Sequence, residues 1–376
     1  MLLSYKYRLY PTRAQRHGLG EMLRDFCGLY NAALEQRIDA YSRCGVSLGY
    51  TPQANELKAV RALGYGHERW SFSAEQQVLR RLDKAFKAFF RRVKAGEKPG
   101  FPRFRAAARY HAAAFRVGDG LTLRKSDRIG IVGVSGGIKV RWHRRLPSAP
   151  TSAIITRQNG KWFVVFHVEV EAAGQHSETA TVGIDVGLRS LVALSIGETV
   201  ERPNWTKRAA KGLRRRQRAL VRCKKGSRRR TKVRAKLAAY SAKVARKRSD
   251  FIHQLTSELT GRFAGIAIED LNIKGLARGG HAKHVNDAAW AQIASMLDYK
   301  AARAGGRVVR VDPRGTSQTC PQCGIIKPKA RGEDTHRCAC GCVLDRDVAA
   351  AMVIHFRAFG FWPGRGLRTL SEPIAA

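Results

Sequence analysis

Apolar and polar residues alternate along the first stretch of the chain. In LLSYKYRLY, Leu2 to Tyr10, the period is two and Pro11 closes the run, which predicts a strand ending in a turn. The period lengthens at Thr12, a predicted helix N-cap, after which Leu19, Met22, Leu23, Phe26, Leu29, Tyr30, Ala33 and Leu34 fall at helical spacing. Ser73 to Val93 repeats that pattern: Val78, Leu79, Leu82, Phe86, Phe89, Phe90 and Val93 line one face, and Arg80, Arg81, Lys84, Lys87, Arg91 and Arg92 surround it. Pro99, Gly100 and Pro102 then break the helix in KPGFPRFR, whose interleaved aromatic and basic residues suit either base stacking and phosphate contact, through Arg103 and Arg105, or a turn that caps the helices. From Phe115 to Glu171 short alternating runs return, and Asn159-Gly160 between two of them is a hairpin signal. The expectation is a small antiparallel β unit, a barrel completed by the N-terminal strand, with helices from about 12 to 109 inserted in it.

After the polar linker AAGQHSETA, the run TVGIDVGLRSLVALS predicts a strand ending at Asp185, a turn at Gly187 and a second strand from Ser190 to Ser195. Lys207 to Arg248 carries no acidic residue, yet Leu213, Leu220, Leu237, Tyr240 and Val244 recur at loosely helical spacing and Gly226 marks a turn, so a helical hairpin is expected. A further helix is expected over about Asp250 to Arg262. Ile266 to Ile268 reads as a buried strand ending in Glu269 and Asp270, where an open sheet exposes its strand ends to ligands. Beyond the loop GLARGGHAKH, a helix is expected to begin near Asn286, then a strand in RVVRVDP and a last helix in DVAAAMVIHF.

Charge changes the picture from a fold to a partner. Seventy Lys and Arg against 29 Asp and Glu give +41 over 376 residues, more than solubility needs, so a polyanion is expected as the working partner. The sequence lacks an apolar run of about 20 residues and a signal-peptide core, which favours nucleic acid over a membrane surface. Arg214, Arg215, Arg216, Arg218, Lys224, Lys225, Arg228, Arg229 and Arg230 are the candidate contacts in the basic stretch, each neutralised phosphate steepening the salt dependence of binding. Eight cysteines do not make a disulfide scaffold in a chain of this length, and a reducing, cytoplasmic setting is expected.

Two chemistries stand side by side near the C-terminus. Cys320 and Cys323 are separated by 14 residues from Cys338 and Cys340, with Gly324 and Gly341 after each pair. This is ribbon spacing for a structural tetrahedral zinc, with Cys342 and His336 as alternative donors. Catalysis is expected from three carboxylates, Asp185, Glu269 and Asp347, with Asp345 as the N-cap of the last helix. Clustered carboxylates suit hard divalent cations such as Mg²⁺ or Mn²⁺, and two ions about 3.5–4 Å apart hydrolyse phosphodiesters.

GIDVGLRSLVALS, IAIEDLNIKGL, DPRGTSQTCPQCG and CACGCVLDRDVAAA, in this order, resemble the split ribonuclease-H-like nuclease motifs and zinc ribbon of the TnpB family, transposon-encoded RNA-guided DNA nucleases related to type V CRISPR effectors. YKYRLYPTRAQ, CGLYNAALEQR and ITRQNGKWFVVFHVE resemble the same family, so the likeness spans nearly the whole chain. It implies an α+β multidomain protein: a β-barrel wedge domain (1–11 and 110–177), a helical recognition insertion (12–109), a RuvC-like α/β nuclease domain (178–312 and 343–360), an inserted zinc ribbon (313–342) and a C-terminal tail (361–376). Carried over by motif, the triad is Asp185, Glu269 and Asp347. The resemblance also implies a guide RNA derived from the transposon end, a double-stranded DNA target and a short adjacent motif read by the protein, base pairing reading the rest. Ala349 stands where the family usually has Asn. Two rivals remain: an RNA-guided repressor without cleavage, which predicts a broken triad, and a cut-and-paste transposase, which typically orders its acids Asp, Asp, Glu.

Overall fold

A computed structural model describes residues 1–64, 67–171, 174, 176–280, 282–328 and 333–363, and the chain divides into two compact units, 1–171 and 172–376. From Gly364 onward the expected tail lies outside the described residues.

In the first unit β1 (Leu2–Tyr10) buries Leu3, Tyr5, Tyr7 and Leu9, every second side chain, as its sequence predicts. It is followed after the helices by β2 (Ala112–Val117), β3 (Gly120–Arg124), β4 (Arg128–Ile131), β5 (Val134–Arg141), β6 (Pro150–Gln158) and β7 (Lys161–Glu169). β1 pairs antiparallel with both β5 and β7, which closes the expected barrel in the order β1-β5-β4-β3-β2-β6-β7. Asn159 and Gly160 take the positive φ, 50° and 73°, that a two-residue hairpin turn requires.

Between β1 and β2 lie α1 (Arg13–Cys44), α2 (Tyr50–Ala62) and α3 (Phe72–Lys94). Thr12 caps α1 in a reciprocal box with Gln15, and the Gln15 amide also donates to the carbonyls of Ser135 and Gly137 on β5. Ser71 caps α3, which begins at Phe72, one residue before the predicted start. In the KPGFPRFR loop Phe101 packs edge-on against Phe86 and Phe89, at 5.6 and 5.3 Å between ring centres, while Arg103, Phe104 and Arg105 are exposed.

The second unit is built on a sheet of β8 (Thr181–Asp185), β9 (Ser190–Leu194), β10 (Thr199–Glu201), β11 (Gly265–Glu269) and β12 (Arg307–Val311), in the order β10-β9-β8-β11-β12. The first three form an antiparallel meander, and β11 and β12 add in parallel. α4 (Trp205–Val221) and α5 (Arg228–Arg262) make the basic hairpin. The helix expected over 250–262 is not separate: it is the last part of α5, because no Gly or Pro occurs between Arg228 and Thr260 and the first glycine, Gly261, stands one residue from the helix end. α6 (Ile273–Leu276), α7 (Ala282–Ala288) and α8 (Trp290–Arg303) connect β11 to β12. The helix expected near Asn286 is thus two, broken where Ala289 turns left-handed at φ 56°. The ribbon, with β13 (Thr335–Arg337) and β14 (Val343–Asp345), leads into α9 (Arg346–Phe359).

Alternation along the central strands assigns the two faces of this sheet. Val182, Ile184, Ile266 and Ile268 pack with Ile252, Leu255 and Leu259 of α5 and Ile293 and Leu297 of α8. The intervening residues, Gly183, Gly265 and Ala267, are small and meet α9, with Ile354 against Ala267. Among the described residues no helix is long and apolar enough to cross a membrane.

Candidate active site

The small-residue face carries the acids. Asp185 follows Gly183 by two residues on β8, and Glu269 follows Ala267 by two on β11, so both fall on the side that α9 covers. The parallel register pairs Gly183 with Ala267 and Ile184 with Ile268, which leaves Asp185 and Glu269 at neighbouring strand ends. α9 can approach because Gly183 lacks a side chain: a Cβ there would lie 2.1 Å from the Ala351 carbonyl oxygen and 2.6 Å from the His355 nitrogen. That approach brings Asp347, buried in the first turn of α9, to the same end, its Oδ2 within 3.6 Å of where a Gly187 Cβ would stand. Asp345 caps the helix as expected, accepting from the backbone nitrogens of Asp347 (2.9 Å) and Val348 (3.3 Å). Ala349 is buried in the next position.

The three carboxylates share one electrostatic field. Burial first, and then the charges of Glu269 and Asp347, push the Asp185 carboxyl up to about 7, against the pull of Arg346 and the Val186 N–H. Burial also raises Glu269, which Thr316 and Arg357 counter; the Thr316 hydroxyl donates to Glu269 Oε1 at 2.5 Å. Arg189, from the β8–β9 turn, donates through Nε to Asp347 Oδ2 at 3.3 Å and through its other end to Asp345. Burial opposes the charge on Asp345, but Arg189 and the two cap N–H groups hold its carboxyl below the usual range. Arg189 and Thr316 are positioning residues that the sequence did not single out, although each stands inside a quoted motif, GLRS and RGTS.

The cysteines converge more tightly. Cys320, Cys323, Cys338 and Cys340 have all four sulfurs within 4.8 Å of one another, with Cys320 to Cys340 at 3.6 Å and Cys323 to Cys338 at 3.5 Å. Gly324 and Gly341, at φ 73° and 88°, form the two turns that present them. Burial opposes ionisation of Cys320, but the N–H groups of Cys323 and Gln322, with His336 nearby, hold its thiol well below the usual range. These four thiols could hold a metal ion. Among the described residues, Cys320, His336 and Cys342 form the other set with all ligand atoms within 4.8 Å. The carboxylates are spread more widely than either set.

In the basic hairpin Arg214, Arg215, Arg218, Lys224, Lys225, Arg228 and Arg229 are exposed. Arg216 and Arg230 are engaged within the fold: Arg216 lies 3.9 Å over the Tyr240 ring and donates to the Gly212 carbonyl, and Arg230 donates to the carbonyls of Leu220 and Cys223. At the hairpin's base, a cleft of about 880 Å³ sets Arg208, Lys243 and Lys247 beside Trp205 and Tyr240.

A meander extended by two parallel strands, with acids at adjoining strand ends and a third at the entry of a covering helix, defines a ribonuclease-H-like, RuvC-like nuclease fold, here with a barrel unit and an inserted ribbon. Residues 165–279 match the OrfB family of IS605, described as "Probable transposase", and 290–354 match the Cas12f1-like TNB domain. Residues 1–45 match a family described as a helix-turn-helix domain, although this stretch is β1 followed by α1 and its Gly45 cap. A Streptomyces pristinaespiralis protein named as an RNA-guided DNA endonuclease is 35% identical over 364 residues, 93% of this chain and 87% of its own. InsQ of Escherichia coli K12, named likewise, is 29% identical over 363 residues, covering 90% of this chain and 87% of its own. In a solved complex of Cas12f1 with single-guide RNA and target DNA, the protein shares the fold at a TM-score of 0.59 and 14% identity, over 91% of this chain and 82% of that one. The chain belongs to the TnpB family.

Proposed function

We propose that this chain is a transposon-encoded, RNA-guided endonuclease that hydrolyses double-stranded DNA beside a short motif read by the protein itself. The observation that carries this reading is the juxtaposition of Asp185 and Glu269 at neighbouring strand ends under the helix entry bearing Asp347. Asp185, Glu269 and Asp347 would hold Mg²⁺ or Mn²⁺: hard cations prefer oxygen donors, and the Asp185 carboxyl, raised first by burial and then by the charges of Glu269 and Asp347, is one whose ionised form a cation would favour. Two such ions, when bound, supply an activated water and a Lewis acid at the departing oxygen. The protein's own part is positional. Thr316 fixes Glu269 through Oε1, Arg189 and Arg346 flank Asp347, and Asp345 anchors the first turn of α9.

The four cysteines would hold a structural Zn²⁺. Bonds of about 2.3 Å in a tetrahedron place sulfurs about 3.8 Å apart, close to the observed 3.5 and 3.6 Å. The exposed arginines and lysines of the hairpin, with Arg103 and Arg105, would track the backbones of a guide RNA derived from the transposon end and of its DNA target. The cleft at the hairpin's base has the mixture of cations and aromatic faces that suits an unpaired strand.

The test is to express the protein with its native flanking DNA, sequence the RNA that co-purifies, and offer a plasmid library with randomised sequence beside the matching target. Guide-matched cleavage that needs Mg²⁺, stops in Asp185→Ala and selects a fixed flank is expected. Binding without cutting in the wild type would favour a repressor. Joined rather than free DNA ends would favour the strand transfer that the word transposase describes.

A further inference from the structure

The ribbon holds more donors than one tetrahedral ion can use. His336 is buried on β13 with only 1% of its surface exposed, and among the described residues its ring nitrogens have no nitrogen or oxygen partner, the Cys320 thiol being the polar group beside them. Cys342, also buried, stands just before β14, and its carbonyl accepts from Cys338 N at 3.0 Å. The sulfurs of Cys320 and Cys342 and a His336 nitrogen all lie within 4.8 Å of one another.

We propose that the ribbon is a binuclear site, in which the Cys320 thiolate bridges one zinc held with Cys323, Cys338 and Cys340 to a second held with His336 and Cys342. This rests on the reading of the four cysteines as a zinc site and extends it. The two donor sets share only Cys320. One ion in the four-cysteine set leaves the buried imidazole and the Cys342 thiol without a metal, and one ion in the other set strands three clustered thiols. Two ions occupy every donor, and a thiolate has the lone pairs to bridge them. On binding, Cys342 gives up its proton and His336 coordinates as the neutral imidazole. With three protein donors the second ion keeps one position for water or a small thiol, so it is held less tightly than the first.

Purify the full-length protein from zinc-supplemented cells, desalt it, and measure zinc per chain by mass spectrometry with folding checked by circular dichroism. Two zincs are expected in the wild type and in His336→Cys, one in His336→Phe and in Cys342→Ser. With Co²⁺ in place of zinc, coupling through the bridge should depress the wild-type paramagnetic resonance signal, and His336→Phe should restore a full single-ion signal. This wild-type spectrum keeps the question answerable if a variant misfolds. One zinc in the wild type overturns the second site and leaves the four-cysteine reading standing. Two zincs retained in both single-site variants would place the extra ion elsewhere and overturn it as well. No zinc at all would sink both readings.

Discussion

At the scale of single residues, Asp185 makes the candidate site sensitive to pH. A carboxyl held up to about 7 by burial and by Glu269 and Asp347 is protonated in mildly acidic solution, and a divalent cation must displace that proton. Mn²⁺ affinity, measured by calorimetry, should therefore rise about tenfold per pH unit below about 7 and level off above it. Affinity independent of pH would contradict this. The metal-free fold responds with the opposite sign: the folded state keeps a proton that the unfolded chain has lost, so this group's contribution to stability falls as pH rises from the ordinary Asp range to about 7. Gly183 gives a second prediction. A methyl group there meets backbone at 2.1 and 2.6 Å, which no rotamer change relieves, so α9 must move away from β8 and carry Asp347 with it. Gly183→Ala should lower stability by at least about 3 kcal/mol in thermal melts and depress cleavage alongside. A variant with unchanged melting would mean that α9 is not seated this closely.

At the scale of elements, the α4–α5 hairpin separates arginines that build it from arginines that it displays. Arg216 stacks on Tyr240 where Gly212 lets the ring close in, whereas Arg215, one residue earlier, is exposed. Arg215→Ala should leave the melting temperature alone and reduce the salt slope of RNA binding by about one. Arg216→Ala should cost about 1 kcal/mol of stability, and equal effects of the two on melting would erase the distinction. Sequence alone could not make this division, because a run of like charges carries no record of which guanidinium finds an aromatic face. Other elements were legible in proportion to their apolar periodicity. β1, α1, the β6–β7 hairpin and the strand ends at Asp185 and Glu269 follow from it directly. α2 was not foreseen: it buries Gln53, Ala54 and Leu57, and is held by Gln53 accepting from Arg37 at 2.8 Å and donating to the Ala33 carbonyl, a polar contact with no sequence period. The break at Ala289 was equally hidden, since nothing in an alanine announces a left-handed residue. Arg189 and Thr316 escaped notice because their partners lie far along the chain and are fixed by the sheet and by α9, not by local pattern.

At the scale of the whole molecule, the first unit is closed by its own ends. β1 pairs with β7 from Leu2 opposite Glu169 to Leu9 opposite Trp162, and the Met1 amino group donates to the Val170 carbonyl. Its helices return to the same barrel, through Gln15 at the start of α1 and through the Arg81 guanidinium of α3, which donates to Ala112 O on β2. Every contact that defines the barrel therefore lies within residues 1–171. A fragment of those residues should fold alone, with a single cooperative melt and hydrogen-exchange protection in β1 and β7. Starting the same fragment at Pro11 removes the strand between β5 and β7, leaves two unpaired edges and uncovers the interior that Tyr7 and Leu9 fill, so it should aggregate or melt without cooperativity. If the longer fragment is unfolded while the full chain is not, the barrel depends on the second unit for its stability. If both fragments fold equally well, β1 is a lining strand and not the closing one.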